Sequence, residues 1–270
     1  TSSGLATLNS LDVTGNTTIE TLTSSGLATL NSLDVTGNTT LGTLTSTGLV
    51  TFNDRIDLSD SLENTMIGKD SGSSNLYGKG NVSVGFESLY SNVGVGGVSP
   101  SGFGDYNVAS GYKSLYFNTD GSNNVASGSQ SLYFNTSGTD NVGSGHLSLF
   151  NNTTGVNNVG SGFQSLFSNT TGSNNVAAGY QSLHNNTTGK RNIAFGYRSG
   201  KFIQNGSGNT TGDYSIFIGQ DTRANADGET NQIVIGDTAV GGGDNTVTLG
   251  NDAITDTYLK GRVTAGSLEI

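Results

Sequence analysis

The side chains best suited to chemistry in this sequence are two histidines and a modest number of carboxylates. Neither His146 nor His184 has a second histidine or a carboxylate at the spacing of a metal site, so both are interpreted as turn or surface residues. Between residues 111 and 196 the acidic residues are Asp120 and Asp140, both in predicted turns. A glycan hydrolase needs two carboxylates held about 5 to 10 Å apart across a groove, and this stretch predicts no such pair.

Two denser groups of carboxylates flank the regular part of the sequence. We interpret both as solvated junctions between structural elements. Their members are Asp54, Asp57, Asp60 and Glu63 in the first group, and Asp221, Asp227 and Glu229 in the second.

Two glycine-containing stretches share part of a ligand-binding motif. Gly189-Lys190 could end a phosphate-binding loop, but the required earlier glycine is replaced by His184 and the following serine or threonine by Arg191. The run 241–244, Gly-Gly-Gly-Asp, begins like a calcium-binding nonapeptide, which needs stacked copies where this sequence has one. The sequence therefore predicts no catalytic residue, no cofactor site and no metal site.

Aromatic residues recur at equivalent places and could form a surface of their own. This spacing predicts a ladder of stacked rings, formed between successive repeats or between chains, with a sugar-stacking stripe as the alternative. The residues are Tyr116, Phe117, Tyr133, Phe134, Phe150 and Phe167.

These side chains belong to a repeat of 17 residues. The pattern Asn-Val/Ile-x-x-Gly occurs in six consecutive copies between Asn107 and Gly196, and Ser-Leu follows the first five glycines. A fixed period of this length marks a solenoid, in which each unit covers its neighbour. Each repeat glycine is predicted to lie at a corner that needs positive φ or leaves no room for a Cβ. They are Gly68, Gly85, Gly111, Gly128, Gly145, Gly162, Gly179, Gly196, Gly219, Gly236 and Gly250.

The composition and the short period both predict strands. Seventeen residues are too few for a helical solenoid repeat, which needs about 30 to 45. Val176, Ala178 and Tyr180 alternate with small or polar residues, which indicates a strand, and Leu183 falls out of that phase. We therefore predict a corner near residues 181–182 and a second short strand after it. The predicted fold is an all-β parallel β-roll or β-helix of about eleven coils, each of 14 to 17 residues.

A single coil has little material for a core. It carries only about four sizeable apolar side chains, which is thin for a free-standing solenoid. We therefore expect the remaining face to be buried against copies of the same chain, in an elongated homotrimer.

Two insertions interrupt the period and are the predicted binding loops. One adds nine residues within 93–106, and the other adds six around 201–212. Loops added to a regular solenoid project from its surface and often carry binding. The candidate receptor contacts are Pro100, Phe103, Tyr106, Phe202 and Asn205.

The two ends of the chain differ from the 17-residue array. A Thr/Gly-rich repeat of 22 residues opens the sequence and predicts a stalk of intertwined strands rather than a helix, since Gly4 and Gly15 would interrupt a helix. The chain starts without Met in the middle of this pattern, so we expect it to be a window on a longer protein. The predicted domains are the β-stalk (1–52), a junction (53–63), the β-roll array (64–250) and a strand-like C-terminal segment (251–270).

Charge and composition exclude several classes of partner. The net charge of -10 and the lack of a Lys/Arg stripe disfavour nucleic acid. The sequence has no cysteine and therefore no disulfide, and no apolar run approaches the roughly 20 residues of a membrane helix. An acidic, lightly charged surface predicts an extracellular particle without membrane insertion.

The repeat units resemble two groups of trimeric fibres. The unit Asn/Ser-Val/Ile-x-Ile/Ser-Gly is similar to the repeat in the heads of trimeric autotransporter adhesins, whose period matches the 14-residue step from Gly236 to Gly250. Residues 11–18, Leu-Asp-Val-Thr-Gly-Asn-Thr-Thr, resemble the stalks of bacteriophage tail fibres and tail spikes. Residues 246–263 resemble what precedes the self-cleaving chaperone of endosialidase-type tail proteins. Since no chaperone follows Ile270, this resemblance implies a mature or truncated chain. Both groups imply a trimeric fibre, the adhesins with a left-handed β-roll.

The resemblances and the residues together favour a structural role. We expect a non-enzymatic fibre, similar to a phage tail fibre, that attaches to a host cell through a surface glycan or protein receptor. A trimeric bacterial adhesin head is the alternative with the same fold. A glycan depolymerase tail spike is the alternative from another functional class. The expected location is extracellular, in a virion tail fibre or a cell-surface appendage.

Overall fold

A computed structural model describes residues 62–93 and 103–256 of the chain. These residues belong to one compact unit, Asp57–Ile270. The predicted stalk, nearly all of the predicted junction and the C-terminal segment after residue 256 lie outside the described residues. Within the described ranges the regular secondary structure consists of β-strands. No helix in these ranges is long and apolar enough to cross a membrane.

Eleven strands of three residues form one parallel sheet whose strand order follows the chain. Equivalent repeat positions pair in register, so that Val125 lies opposite Val108 on one side and Val142 on the other. The described unit is therefore a parallel β-solenoid of about ten turns, which confirms the predicted all-β coil. The strands are β1 (Thr65–Ile67), β2 (Val82–Val84), β3 (Val108–Ser110), β4 (Val125–Ser127), β5 (Val142–Ser144), β6 (Val159–Ser161), β7 (Val176–Ala178), β8 (Ile193–Phe195), β9 (Ile216–Ile218), β10 (Ile233–Ile235) and β11 (Val247–Leu249).

The core of the solenoid is narrow and made of small residues. In β5 the outer residues Val142 and Ser144 face solvent, whereas the middle residue is inside. That inward residue is an alanine or glycine in β3 to β8, and it packs near the leucine that follows each corner. Leu115, Leu132, Leu149, Leu166 and Leu183 form this fully buried row.

The predicted second strand of each coil is wrong. After the corner glycine the chain forms successive turns with positive φ at alternate residues, for example 54° at Gln181 and 45° at Leu183. These turns still bond to the neighbouring coils, since the N–H groups of Gln181 and Leu183 donate to the carbonyls of Phe163 and Ser199. The stacking bonds therefore hold a backbone conformation that leucine and glutamine seldom adopt.

The repeat glycines lie where successive coils approach most closely. All eleven have positive φ, with values of 125° to 143° at the first ten. A Cβ built on Gly162 would lie 2.6 Å from the carbonyl oxygen of Gly179 in the next coil. The corner therefore excludes a side chain both by conformation and by space.

Two rows of buried asparagines run along the inside of the turns. The rows meet at the turn glycines: the carbonyl of Gly172 accepts from the side-chain amides of Asn158 at 2.8 Å and Asn169 at 2.9 Å. Each amide also bonds to its equivalents in the adjacent coils, so the rows tie the coils together. The first row is Asn64, Asn81, Asn107, Asn124, Asn141, Asn158, Asn175 and Asn192, and the second is Asn92, Asn118, Asn135, Asn152, Asn169 and Asn186.

The core changes composition at the eighth coil. Gly200 replaces the buried leucine there, and Phe217 in β9 replaces the small inward residue of the earlier strands. A Cβ on Gly200 would lie 2.8 Å from Cδ2 of Phe217, so the glycine makes room for the ring. The strands β8 and β9 stay in register although six residues are inserted between them.

Candidate functional site

The predicted receptor contacts do not form one site. Pro100 lies outside the described residues. Phe103 and Tyr106 precede β3 and are about half exposed, whereas Phe202 and Asn205 follow β8. Five strand spacings separate β3 from β8, which is roughly 24 Å. The second pair lies in one bridged loop.

The insertion after β8 forms a compact loop with an exposed tip. Phe202 pairs with Gly208 in an antiparallel bridge. The N–H of Ile203 donates to the carbonyl of Ser207, and the N–H of Gly206 donates to Ile203, both at 2.9 Å. Ile203 is buried, but residues 204–207 at the tip are exposed, and a Cβ on Gly206 would meet nothing within 4 Å. The loop is therefore anchored at its base and open at its tip.

Three cationic side chains surround the ring of Phe202. The guanidinium carbon of Arg198 lies 5.7 Å from the ring centroid, Nζ of Lys201 lies 4.9 Å away, and the guanidinium carbon of Arg223 lies 5.8 Å away. Arg198 comes from the corner of the same coil, Lys201 from the loop base and Arg223 from the next coil. We call Phe202 and these three cationic residues the Phe202 cluster.

One carboxylate neutralises one of the three cations. Asp221 accepts from Nε of Arg198 at 2.6 Å and from its second nitrogen, Nη2, at 2.8 Å, which is a bidentate pair. The hydrogen bonds to Asp221 raise the pKa of Arg198 above its ordinary value. Among the described residues, the guanidinium of Arg223 contacts the Phe202 ring and pairs with no carboxylate. The cluster therefore keeps two uncompensated positive charges.

Lys201 is held close to the other cations. Its ammonium donates to Oε1 of Gln181 at 2.7 Å. Burial lowers the pKa of Lys201, the neighbouring charge of Arg198 lowers it further, and Asp221 offsets part of this effect. The ammonium thus lies in a place where an added anion would stabilise its charged form.

Sequence reasoning missed this cluster, although a signal was present. Arg198 and Asp221 both stand two residues after their corner glycines, in consecutive coils. Glu87 and Lys113 occupy the same repeat position in two earlier coils, and they also form an ion pair, at 3.2 Å. Opposite charges at one repeat position of a solenoid therefore predict a contact.

The aromatic residues stack between coils as their spacing predicts. Consecutive ring centroids in one ladder lie 5.0 to 5.3 Å apart with planes within 15° of parallel. Phe117 and Phe134 pack edge-on against this ladder. Ring faces inside the ladder are therefore covered by other rings, which favours inter-coil packing over a sugar-stacking stripe. The ladder consists of Tyr90, Tyr116, Tyr133, Phe150, Phe167 and His184.

The outer side of the sheet carries a long apolar row. Its members are the first residues of ten successive strands, and the five valines from β2 to β6 are each 36% to 39% exposed. A second set of stacked rings, including Phe163, Tyr180 and Tyr197, follows the corner glycines. The apolar row is Val82, Val108, Val125, Val142, Val159, Val176, Ile193, Ile216, Ile233 and Val247.

The two histidines stack on phenylalanine rings. His146 lies 5.5 Å from Phe163, and His184 lies 5.1 Å from Phe167 at the end of the ladder. Burial lowers the pKa of His184; a hydrogen bond with Asn185 partly offsets this, and nearby Lys201 adds to the lowering. Within the described ranges, no group of three His, Cys, Asp or Glu side chains could hold a metal ion.

The lowered pKa of His184 predicts an acid-sensitive coil. Since the unfolded chain binds a proton at higher pH than the folded chain, stability is complete above about pH 6.5 and is lost as the pH falls through the folded pKa. The variant His184→Phe carries the ring found at the equivalent positions Phe150 and Phe167. It should lack this loss of stability at acidic pH. Melting temperatures measured between neutral and mildly acidic pH should fall more steeply for the native chain. Parallel curves for the two proteins would contradict the assignment.

The remaining motifs have structural roles. Asp221 is buried in its ion pair, so its interpretation as a solvated junction residue is wrong. Asp227 accepts two backbone N–H groups and the hydroxyl of Thr210. Burial raises the pKa of Asp227, but these hydrogen bonds outweigh that effect and lower it. Asp244, the acid of the calcium-like run, accepts the N–H of Thr230 at 2.6 Å. The carbonyl of Gly189 accepts from two asparagines.

Comparison with known proteins gives no relative. No protein-family model matches the chain, and no curated protein or solved structure does. The surfaces of the solenoid itself are therefore the basis for inferring its function.

Proposed function

We propose that this chain is a segment of a homotrimeric extracellular fibre, of the phage tail fibre kind, that attaches its owner to a cell surface. The observation that carries the proposal is the apolar row on the outer side of the sheet. It runs through ten successive strands, whose nine spacings span roughly 43 Å. Contiguous apolar surface of this length on a regular solenoid is typical of an interface.

The energy available on this face is of the same size as the cost of association. Full burial of a valine is worth about 1.5 to 3 kcal/mol, so covering the exposed third of one should yield about 0.5 to 1 kcal/mol. Ten positions then supply about 5 to 10 kcal/mol, before the neighbouring rings are counted. This range overlaps the estimated cost of association of about 4 to 15 kcal/mol. The inward strand residues are too small to supply a large core, which favours burial of the outer face.

The threefold symmetry and the attachment role come from the resemblance to trimeric fibres. The described acidic residues Asp221, Asp227 and Glu229 are engaged in hydrogen bonds within the coils, which supports a structural role over glycan hydrolysis. The 14-residue step between β10 and β11 favours a bacterial adhesin head as the second candidate. Both candidates are trimeric and expose loops to a receptor.

A charged substitution in the apolar row tests the proposal. Val142→Lys combined with Val159→Lys should abolish association, because two lysines would be placed at each chain's contact face. The matched control, Thr154→Lys with Thr171→Lys, places the same charges on exposed turn residues of the same coils. Light scattering should show single chains for the first variant and the native assembly for the control. Equal masses for the two variants would contradict the proposed interface.

A further inference from the structure

We propose that the Phe202 cluster is the receptor site of the fibre and binds the carboxylate or sulfate group of an acidic glycan. This inference depends on the proposed attachment function and names the chemistry of its ligand. It is carried by the two uncompensated cations that converge on one ring beside an exposed polar loop tip.

The local charge is opposite to that of the whole chain. The Phe202 cluster holds three cationic side chains against the one carboxylate of Asp221, whereas the net charge of the chain is -10. A cationic patch on an acidic protein draws a small anionic group but not a long polyphosphate, because the rest of the surface repels it. The expected ligand is therefore a glycan in which single carboxylate or sulfate groups are attached to neutral, hydroxyl-rich sugar rings.

The cluster is built to hold its cations in place. Asp221 fixes Arg198 by two hydrogen bonds, and Gln181 fixes the ammonium of Lys201. Arg223 lies against the Phe202 ring, and its backbone N–H donates to the carbonyl of Ala239 at 2.9 Å. Since a guanidinium presents a planar fork of donors, Arg223 can bind a carboxylate or sulfate through two oxygens.

The loop tip supplies groups for sugar hydroxyls. Residues 204–207, Gln-Asn-Gly-Ser, are all exposed. Oδ1 of Asn205 accepts the N–H of Ser207 at 2.9 Å, which orients the Asn205 side chain. Its amide nitrogen can then donate to an acceptor on a ligand. The backbone N–H of Gln204 contacts the carbonyl of Asn225 in the next coil, so the tip is joined to the coil that carries Arg223. Charge recognition and hydroxyl recognition are thus available on adjacent coils.

Binding to defined oligosaccharides tests the site. The probes are oligogalacturonate for carboxylate, a sulfated galactan oligosaccharide for sulfate, and maltohexaose as the neutral control. The native assembly should bind at least one acidic probe and not the neutral one, and the affinity should fall on raising the salt from about 0.1 M to about 1 M. Arg223→Gln should weaken binding about tenfold or more, and Arg223→Lys should restore only part of it.

A matched variant separates this site from general charge effects. Lys79→Gln removes one positive charge that also lies over an aromatic ring, that of Tyr106, at 5.8 Å. It should leave binding unchanged, and Lys201→Gln provides a second variant should Arg223→Gln fail to fold. Equal binding by Arg223→Gln and Lys79→Gln, binding of maltohexaose, or stronger binding of single-stranded DNA than of either acidic glycan would overturn the proposal. The solution mass of each variant shows whether such a failure concerns the site alone or the fibre.

Discussion

Gly162→Ala is expected to destabilise the solenoid by on the order of 3 kcal/mol or more. The φ of Gly162 is 129°, a conformation that residues with a Cβ rarely adopt. The new Cβ would also lie 2.6 Å from the carbonyl oxygen of Gly179, a backbone atom that is fixed by the stacked coils. In urea, monitored by circular dichroism, the variant should unfold at a lower midpoint. The coils on its two sides should also unfold more independently, because each coil contacts only its neighbours.

Gly160→Ala is the matched control in the same strand. A Cβ there would lie 2.6 Å from Oγ of Ser148, which is the end of a side chain that can rotate. Ser148 now donates to the carbonyl of Gly160, whereas Ser165, which faces Ala177, donates to its own corner glycine instead. Ser148 can adopt that second arrangement, so this variant should stay within about 1 kcal/mol of the native chain. Equal losses for the two glycines would contradict the proposed role of the corner.

Asn158→Ala is expected to cost roughly 2 to 4 kcal/mol. The Asn158 amide nitrogen donates to Oδ1 of Asn141 and to the carbonyl of Gly172, and its oxygen accepts the backbone and side-chain N–H groups of Asn175. All four hydrogen-bonding positions of this amide are therefore used. Alanine would leave the buried backbone N–H of Asn175 without its acceptor and would open a cavity between two coils.

The control for this variant is Thr154→Ala in the preceding turn. Thr154 is exposed, and no side-chain hydrogen bond joins it to the described residues. Its replacement should change the free energy of unfolding by less than about 0.5 kcal/mol. Chemical denaturation of both variants measures the difference. A loss below 1 kcal/mol for Asn158→Ala, on the scale of a surface substitution, would show that the asparagine rows do not hold the coils together.

The sequence predicted the period, the corner glycines and the stacked rings because these depend on spacing alone. Residues 17 apart must superpose once each coil covers the next, whatever path the chain takes between them. Gly162 and Gly179, or Phe150 and Phe167, therefore meet in any solenoid with this period.

The path between those points could not be predicted in the same way. Leu183 falls out of strand phase, which is compatible with a corner followed by another strand or with consecutive turns. The structure contains turns because Gln181 and Leu183 have positive φ, and hydrogen bonds from the adjacent coils hold them there. The conformational preferences of glutamine and leucine reflect the isolated chain, in which neither residue favours positive φ.

The structural role of the asparagines could not be predicted for a related reason. Asn next to Thr and Gly is typical of a solvated turn, and Asn152 and Asn169 also fit the acceptor pattern for glycosylation. Both side chains are fully buried and bonded to their equivalents in other coils. Their role depends on stacking, which supplies partners that a single repeat does not contain.

The Phe202 cluster lay beyond sequence reasoning because its members come from two coils and an irregular loop. Phe202 was predicted as a receptor contact from its place in the insertion. The inserted residues have no equivalents in the other repeats, so the repeat pattern does not predict which residues of the adjacent coils they contact. Arg198 and Arg223 lie in adjacent coils that are separated by an insertion of six residues, and they still contact the same ring.

The most direct test of the proposed fibre is the solution mass of the native chain, measured by light scattering before and after heating. The chain mass is 27.6 kDa, and a trimer joined along the apolar row should have three times this mass and resist dissociation until the solenoid melts. Disassembly and loss of the β-sheet signal should then occur together. A stable folded monomer would contradict the account, since it would show that each coil closes its own core and that the outer face of the sheet needs no partner.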